Sequence, residues 1–327
     1  MARASLPRCT LSGVSISEPL RRTRGDLCPG VLRPWPASDG ALVRLRVPGG
    51  RVSPASLAAV HGVAVRYGDD DNVHLTSRAN LQLRALPVGQ NGQLPGEVVS
   101  AIAATGLLPA PGHELVRNVM VSPLTGLGGL LGGRDNGRAD LRPVTDALDA
   151  GLLADPALAG LPGRFLFVLD DGRGDLIERS CDLGLVALDA GTAQLRVGDR
   201  WSDVVPLAGA ADRLVEIARA FVQARGTGPD APWHVRELLA QAGASAKADP
   251  AATALPPSLV PAVDPDHRLP RPADPLPFGP VPGSAGRIEH IEAPGGVLTP
   301  TLIARLTAPG VTELVVTPWR GVLAVHA

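Results

Sequence analysis

Five polar side chains alternate with apolar or small ones in the segment HLTSRANLQLR, residues 74–84. If this segment is extended, the five share one face, because successive side chains of a strand point to opposite sides. They are Thr76, Arg78, Asn80, Gln82 and Arg84. Guanidinium groups suit forked contacts with carboxylates, so the pattern predicts a surface for a polyanionic ligand. The alternative is the solvated face of an antiparallel sheet.

A second segment with the same residue types lies near the end of the chain. In TPWR, Thr317 stands shortly before Arg320, much as Thr76 stands before Arg78. This repetition favours the ligand-binding interpretation over the solvated-face one. Trp319 could stack on a flat ligand, and core packing explains it equally well.

An eight-residue sequence occurs twice in nearly the same form, and we expect it to position these two segments. VPGGRVSP covers residues 47–54, and APGGVLTP covers residues 293–300. The two glycines predict a turn, and a hydroxyl residue before proline predicts a capped helix start. Before the first octet, Arg44 and Arg46 alternate with apolar residues, which is the period of a strand. The pattern predicts two strand–helix–strand units, each too small to bury a core alone.

The rest of the chain divides around these two units. We expect a disordered leader over residues 1–24, the first unit over 25–90, and a mixed region of helices and strands over 91–245. A segment with many prolines predicts a stiff linker over 246–276, and the second unit covers 277–327. The predicted fold class is therefore α/β.

Composition limits the class of protein. A net charge of −1 with 45 % hydrophobic residues predicts a globular protein and no nucleic-acid partner. No signal-peptide pattern or membrane-spanning apolar run is present, so we expect a cytoplasmic location and no membrane partner. Lys247 is the single lysine against 30 arginines, so an isolated arginine carries little information. Cys9, Cys28 and Cys181 form no close pair, and no metal site is predicted from them.

Four segments in order carry a resemblance to a known family: CPGVLRPWPASDGALVRLRVPGG, HLTSRANLQLRAL, RNVMVSPLTG and TPWRGVL. Over roughly residues 26–327 the chain resembles the nitrite/sulfite reductase superfamily, most nearly its cobalamin-pathway branch, precorrin-3B synthase. The resemblance implies two ferredoxin-like half-domains flanking a sulfite-reductase-like α/β domain. It also implies a bound tetrapyrrole, either sirohaem or a precorrin substrate.

The resemblance assigns the polar segment to that macrocycle. Residues 76–82 match a Thr-x-Arg-x-x-x-Gln stretch that faces the ring in the family. Together with the second segment, the expected cofactor-binding residues are Thr76, Arg78, Asn80, Gln82, Arg84, Thr317 and Arg320.

The resemblance also implies three catalytic residues. Arg117 and Asn118 of RNV match the place of an arginine that reaches the reacting centre in sulfite reductases. Arg164 falls where those enzymes carry the first of two substrate lysines, and Leu166 stands at the second place. That leucine argues against reduction of a small oxyanion, which needs a full ring of cationic donors. For Arg117 and Arg164, an exposed or ion-paired arginine is the alternative interpretation.

An iron–sulfur cluster is expected of the family, but its ligands are not in this sequence. Family members hold a [4Fe–4S] cluster on C-x5-C and C-x3-C, and this chain has neither pattern. We expect either a truncated product or a separate polypeptide that supplies the cluster. Cys181 is interpreted as a buried core residue and Cys28 as no family ligand. His234 and His290 are interpreted as partly buried or surface histidines.

Three functions follow from these observations. The first is an oxidoreductase of cobalamin biosynthesis, a precorrin-3B synthase-like monooxygenase whose arginines clamp the carboxylates of its substrate. The second is a sirohaem-dependent nitrite or sulfite reductase. The third is a non-catalytic tetrapyrrole-binding remnant or subunit. The electron donor and the oligomeric state stay open.

Overall fold

The computed structural model of the chain describes residues 26–132, 137–228, 230–244, 255 and 260–327. The predicted leader over 1–24 lies outside the described residues, as does Cys9. Most of the first half of the predicted linker, from residue 245 to 259, also lies outside them.

Three five-stranded sheets and six α-helices form the described part of the chain. The first unit contains β1 (Trp35–Ala37), β2 (Gly40–Leu45), β3 (Arg51–Val52), α1 (Pro54–Tyr67), β4 (Val73–Leu75) and β5 (Leu81–Leu86). It extends past its predicted end at residue 90, because α2 (Gly96–Ala104) packs in the same core. The middle region contains β6 (Val119–Val121), α3 (Arg142–Ala154), β7 (Phe167–Asp170), β8 (Leu183–Ala187), β9 (Thr192–Val197), β10 (Arg200–Pro206), α4 (Leu207–Arg225) and α5 (Val235–Ala244). The last unit contains β11 (Gly279–Pro280), β12 (Ile288–Glu292), β13 (Val297–Leu298), α6 (Pro300–Leu306), β14 (Val311–Val316) and β15 (Gly321–His326).

The two repeated units exchange a short strand with each other. The first sheet has the order β1-β2-β5-β4-β13, and the last sheet has the order β11-β12-β15-β14-β3. Strand β3 of the first unit thus pairs antiparallel with β14 of the last, and β13 pairs with β4 in return. Helices α1 and α6 bury their apolar faces in one shared core. The prediction that the two units pack together is confirmed, and the mixed α/β fold class with it.

The octets make this exchange possible. Gly50 has a φ of 72° and Gly296 has a φ of 79°, which favours glycine. A Cβ atom at Gly50 would also overlap the carbonyl oxygen of Val316, so the close approach of the two units excludes a side chain there. The predicted helix starts are confirmed, since Ser53 accepts the N–H of Ser56 at 3.0 Å. The hydroxyl of Thr299 caps α6 in the same way.

The segment HLTSRANLQLR is a hairpin, and the expectation of one extended strand over it is wrong. Strand β4 ends at Leu75, residues 76–80 form a tight turn, and β5 begins at Leu81. The chain reverses because Ala79 has a φ of 55° and because Thr76 bonds within the turn. The alternation of side chains is therefore interrupted, and Asn80 is 1 % exposed instead of lying on an open face.

The middle region is an α/β domain with a mixed sheet. Its order is β10-β9-β8-β7-β6, in which β6, β7 and β8 are parallel and the rest antiparallel. The apolar faces of α3 and α4 cover the sheet. Arg117 and Asn118 precede β6, and Arg164 precedes β7, so the predicted catalytic residues lie at the amino ends of the parallel strands.

Residues 260–277 run as an extended strap along the middle domain. The N–H of Val263 donates to the carbonyl of Trp201, and Gln194 exchanges hydrogen bonds with the backbone of Asp264 and Asp266. The described part of the proline-rich linker is therefore held against the β9–β10 side of the sheet.

Candidate functional site

Two turns of identical design lie at equivalent places in the two repeated units. In residues 76–80 and 317–321, the N–H of the first residue donates to the carbonyl of the fifth at 2.9 Å. The hydroxyls of Thr76 and Thr317 accept the N–H of the fifth residue, at 3.1 and 3.2 Å. The fourth residue has a positive φ in both turns, 55° at Ala79 and 60° at Arg320. The threonines thus shape the turns.

This geometry corrects the pairing of the two segments. Arg78 is the third residue of its turn, and the third residue of the other turn is Trp319. Arg320 corresponds instead to Ala79, because the positive φ fixes the fourth position. The expectation that Arg78 and Arg320 occupy matching places is therefore wrong by one residue.

The tips of both turns contact the middle domain near strand β7. The guanidinium of Arg78 donates through Nη1 to the carbonyl oxygen of Arg164 at 3.0 Å. Trp319 packs against an apolar cluster that contains Leu166 and Val168. The Arg164 side chain is exposed, and its guanidinium lies 5.4 Å from the ring centre of Trp233. The structure thus brings Arg78, Arg164 and Leu166 to one cavity, and their roles toward a ligand stay predictions.

Two buried asparagines join the first unit to the middle domain. Asn80 accepts the N–H of Val47 at 2.9 Å and donates to Asn118 Oδ1 at 3.2 Å. The Asn118 amide donates in turn to the carbonyl oxygens of Gly163 and Phe165, at 2.8 and 3.2 Å. With these bonds made, both asparagines position the backbone around the site. Their predicted contact with substrate or macrocycle stays a prediction.

Arg46 is a candidate functional residue that the sequence pattern did not single out. It is 2 % exposed, donates to the carbonyls of Leu115 and Gly163 at 3.3 and 3.4 Å, and has no partner for Nη1 within the described residues. Burial, and then the positive charges of Arg44 and Arg78, lower the pKa of Arg46 to about 9. An unpaired, buried guanidinium nitrogen is costly unless an anion completes it. In sequence, its alternation with apolar residues resembled an exposed face.

We call Arg44, Arg46, Arg78 and Arg164 the arginine site. Burial lowers the pKa of Arg44; the Cys28 thiol opposes this shift, and the charge of Arg78 adds to it. Arg44 lies opposite Gln82 in the pairing of β2 with β5. The Nε atom of Arg44 is buried and has no partner among the described residues. Positive charges this close repel one another, so the site is set up for an anionic ligand.

The other two predicted residues of strand β5 lie along the same sheet. Gln82 Oε1 is 3.5 Å from Arg44 Nη2, a distance at the limit of a hydrogen bond. Arg84 forms a half-exposed ion pair with Asp39 at 3.4 Å. Neither contact shows a ligand, so their binding roles stay predictions.

Residues 26–32, the segment before β1, are anchored beside the arginine site. The Glu114 carboxylate accepts the backbone N–H groups of Val31 and Leu32, and burial raises the pKa of Glu114. Asp26 accepts the N–H groups of Cys28 and Gly163. Burial, followed by the charge of Asp26, raises the pKa of the Cys28 thiol. The segment is thus fixed over the Gly163 backbone to which Arg46 donates.

Arg117 is ion-paired instead of free. Its Nε and Nη2 atoms donate to the two carboxylate oxygens of Asp149 on α3, at 2.6 and 2.7 Å. Arg117 and Arg46 line one cavity of about 470 Å³ at the junction of the two units and the middle domain. A ligand of Arg117 must compete with Asp149, so its catalytic role stays a prediction.

The second turn is supported by a histidine. His290 Nε2 lies 3.0 Å from Thr317 Oγ1, and Nδ1 lies 3.1 Å from the carbonyl oxygen of Leu276. Burial lowers the pKa of His290, which favours the neutral ring. Arg320 is exposed beside Gly296. Thr317 therefore shapes the turn, and a macrocycle contact by Thr317 or Arg320 stays a prediction.

Three carboxylates gather at the opposite, carboxyl end of the parallel strands. Asp170, Asp171 and Asp175 have ligand atoms within 4.8 Å of one another. Asp170 accepts three backbone N–H groups, and Asp171 binds the Arg173 guanidinium at 2.8 Å. Asp175 accepts the Ser122 hydroxyl at 2.6 Å, and burial raises its pKa to about 7. These groups complete the predicted DDGRGD turn and lie away from the arginine site.

Comparisons with known proteins agree with this fold. Residues 36–101 match the family model of the nitrite/sulfite reductase ferredoxin-like half domain. Two relatives named ferredoxin–nitrite reductase are 30 % identical over 138 residues, from Synechococcus elongatus, and 29 % identical over 134 residues, from Leptolyngbya laminosa. These alignments cover 42 % and 40 % of this chain but 26 % and 25 % of the relatives. The chain thus aligns with about a quarter of their length.

A solved structure shows the same arrangement. The Mycobacterium tuberculosis NirA protein superposes with a TM-score of 0.60 and 17 % sequence identity, over 88 % of this chain and 54 % of that protein. In sequence the chain is thus similar to the nitrite/sulfite reductases over part of its length, and the solved structure shows a similar fold. These similarities do not support the finer assignment to the precorrin-3B synthase branch. In the described residues, no helix is long and apolar enough to span a membrane.

Proposed function

We propose that this chain is the tetrapyrrole-binding part of a sirohaem-dependent oxidoreductase that reduces nitrite or sulfite. The observation that carries this proposal is the arginine site, in which the Nη1 of Arg46 is buried and has no hydrogen-bond partner among the described residues. Preorganised cationic donors of this kind stabilise a bound oxyanion, because they need no rearrangement when the charge arrives. The curated relatives named for nitrite reduction favour this function over the cobalamin one.

The residues present fit a macrocycle that carries many carboxylates. Arg44, Arg46, Arg78 and Arg164 would hold its side chains, and arginine is suited to paired contacts with carboxylates. Sirohaem, when bound, supplies the iron through which electrons reach the substrate. A low-potential one-electron donor such as ferredoxin is proposed from the names of the relatives.

The described residues do not fit a [4Fe–4S] cluster in the same way. Cys28 and Cys181 are both free and buried, and Cys181 packs in the apolar cluster of Leu166. Burial raises the pKa of Cys181 to about 12, which disfavours a thiolate ligand. A separate cluster-bearing polypeptide stays a prediction.

A second candidate function, a precorrin-3B synthase-like monooxygenase, is favoured by Leu166. This residue is 7 % exposed and belongs to the apolar cluster on which Trp319 packs. Where the resemblance places a second substrate lysine, the chain thus has a buried apolar side chain in place of a cation. A site with fewer cations suits a large ring that is itself the substrate better than a small oxyanion.

Loading of the purified chain with sirohaem tests both candidates. We expect sirohaem to bind with an absorption change, and Arg46→Met to weaken this binding at least tenfold. Arg66→Met is the matched control, because Arg66 is exposed on α1 beside Tyr67. The loaded chain, reduced by methyl viologen, should then consume nitrite or sulfite.

The outcomes separate the candidate functions. Oxygen-dependent conversion of precorrin-3A without nitrite turnover would select the second candidate. Binding of sirohaem without turnover of either substrate would select a non-catalytic binding subunit. Failure to bind sirohaem and uroporphyrin, a porphyrin with eight carboxylates, would refute a tetrapyrrole site altogether.

A further inference from the structure

A histidine–aspartate pair lies beside the arginine site, and no role described so far uses it. His234 Nδ1 lies 3.2 Å from Asp182 Oδ1. The Asp182 carboxylate is 2 % exposed and accepts the N–H groups of Leu166 and Val235, both at 2.9 Å. Asp182 is therefore fixed by the backbone, and it fixes the orientation of the imidazole ring.

The other ring nitrogen faces a different environment. His234 Nε2 has no hydrogen-bond partner among the described residues, and the side chain is 33 % exposed. Together with Arg78 and Arg164, His234 lines a cavity of about 30 Å³. This volume holds about one or two water-sized groups. Nε2 can therefore exchange a proton with a ligand, directly or through one water molecule.

Three arginines and one carboxylate, Asp182, line this cavity, so its net charge favours an anion. Arg78, Arg164 and Arg236 all line it, and Arg236 is half-exposed and 3.5 Å from Asp199. Cys181 lines the cavity too, but burial raises the pKa of its thiol, so it stays neutral. Glu237 accepts the backbone N–H of His234 at 3.1 Å and so lies at the backbone side of the ring.

We infer that His234, oriented by Asp182, donates a proton to an anion held by Arg78 and Arg164. This inference rests on the proposed function, because it takes nitrite or sulfite as that anion. One proton passes from Nε2 of the protonated ring to an oxygen atom of the anion, and no electron moves in this step. The ring is left neutral, with its remaining proton on Nδ1 facing Asp182. The aspartate selects this tautomer, because its carboxylate accepts a hydrogen bond from the proton on Nδ1.

Nitrite turnover by the sirohaem-loaded chain is the first test. His234→Gln should lower kcat about 100-fold, the usual contribution of a positioned acid, while KM for nitrite changes less than about threefold. His267→Gln is the matched control, because His267 also faces an aspartate, Asp266 at 3.5 Å, but is 90 % exposed. Wild-type kcat in His234→Gln, in a chain that still turns over nitrite, would overturn the inference and leave the proposed function standing.

A second measurement needs no turnover. Long-range ¹H–¹⁵N spectra of the wild-type chain resolve the two nitrogens of each histidine. Added nitrite should shift Nε2 of His234 and leave His267 unchanged, and Arg78→Met should abolish the shift. If the loaded chain reduces neither nitrite nor sulfite, the proposed function fails. In that case the spectra alone test the inference. An Nε2 resonance of His234 that neither nitrite nor sulfite shifts would overturn it.

Discussion

Replacement of Arg46 by methionine should make the ligand-free chain more stable. Arg46 is 2 % exposed, and its pKa falls from 12.5 to about 9. At about 1.4 kcal/mol for each pKa unit, the charged form costs the folded state up to about 5 kcal/mol at neutral pH. Methionine fills much of the same space without a charge, and replacement of buried charges by apolar side chains is often stabilising.

Two lost hydrogen bonds oppose this gain. The carbonyl oxygens of Leu115 and Gly163 would lose Arg46 as donor, and those bonds are long, at 3.3 and 3.4 Å. Together they account for about 2 to 3 kcal/mol. The net expectation is a stabilisation of about 2 kcal/mol for the ligand-free chain, coupled to the loss of ligand affinity predicted for the same variant.

Urea unfolding at pH 7 measures this difference. Wild type, Arg46→Met and the exposed control Arg66→Met are unfolded without ligand, and unfolding free energies are extrapolated to water. The midpoint should rise for Arg46→Met alone, with an unchanged slope. Destabilisation of Arg46→Met by more than about 1 kcal/mol would refute the reasoning, because it would mean that the protein itself already compensates the buried charge.

Two further substitutions test the close contact at Gly50 and the raised pKa of Asp175. Gly50→Ala should destabilise the chain by at least about 2 kcal/mol more than Gly92→Ala in urea unfolding. Both glycines have φ near 75°, but only Gly50 abuts Val316. Equal losses of unfolding free energy in the two variants would contradict the close contact. Because its folded pKa of about 7 lies above the ordinary value of 3.8, Asp175 should make stability fall as pH rises from about 4 to 7. Asp175→Asn should remove the part of this fall that Asp175 causes, measured as Tm between pH 4 and 7. An unchanged slope of Tm against pH would contradict this expectation.

The elements that local sequence determines could be predicted. The octets identified both helix starts, because a capping hydroxyl and a proline act within one turn of helix. The relation between the units could not be predicted in the same way. Pairing of β3 with β14 joins residues far apart in sequence, and two-residue strands carry no periodicity.

The candidate site was predicted in part for similar reasons. Arg78, Arg164 and Leu166, which the resemblance named separately, line one cavity in the structure. Arg46 was missed because alternation cannot distinguish a face covered by another domain from one covered by water. His234 was missed because its aspartate is distant in sequence, and only the fold brings the pair together.

The exchange of strands has a consequence for how the protein is made on the ribosome. Strand β4 of the first unit is completed by β13, which is translated more than 200 residues later. At about 5 to 20 residues per second, the first unit waits roughly 10 to 50 s with an open sheet edge. Open edges pair readily with other chains, so this interval is when the nascent protein is most exposed to aggregation and to chaperones.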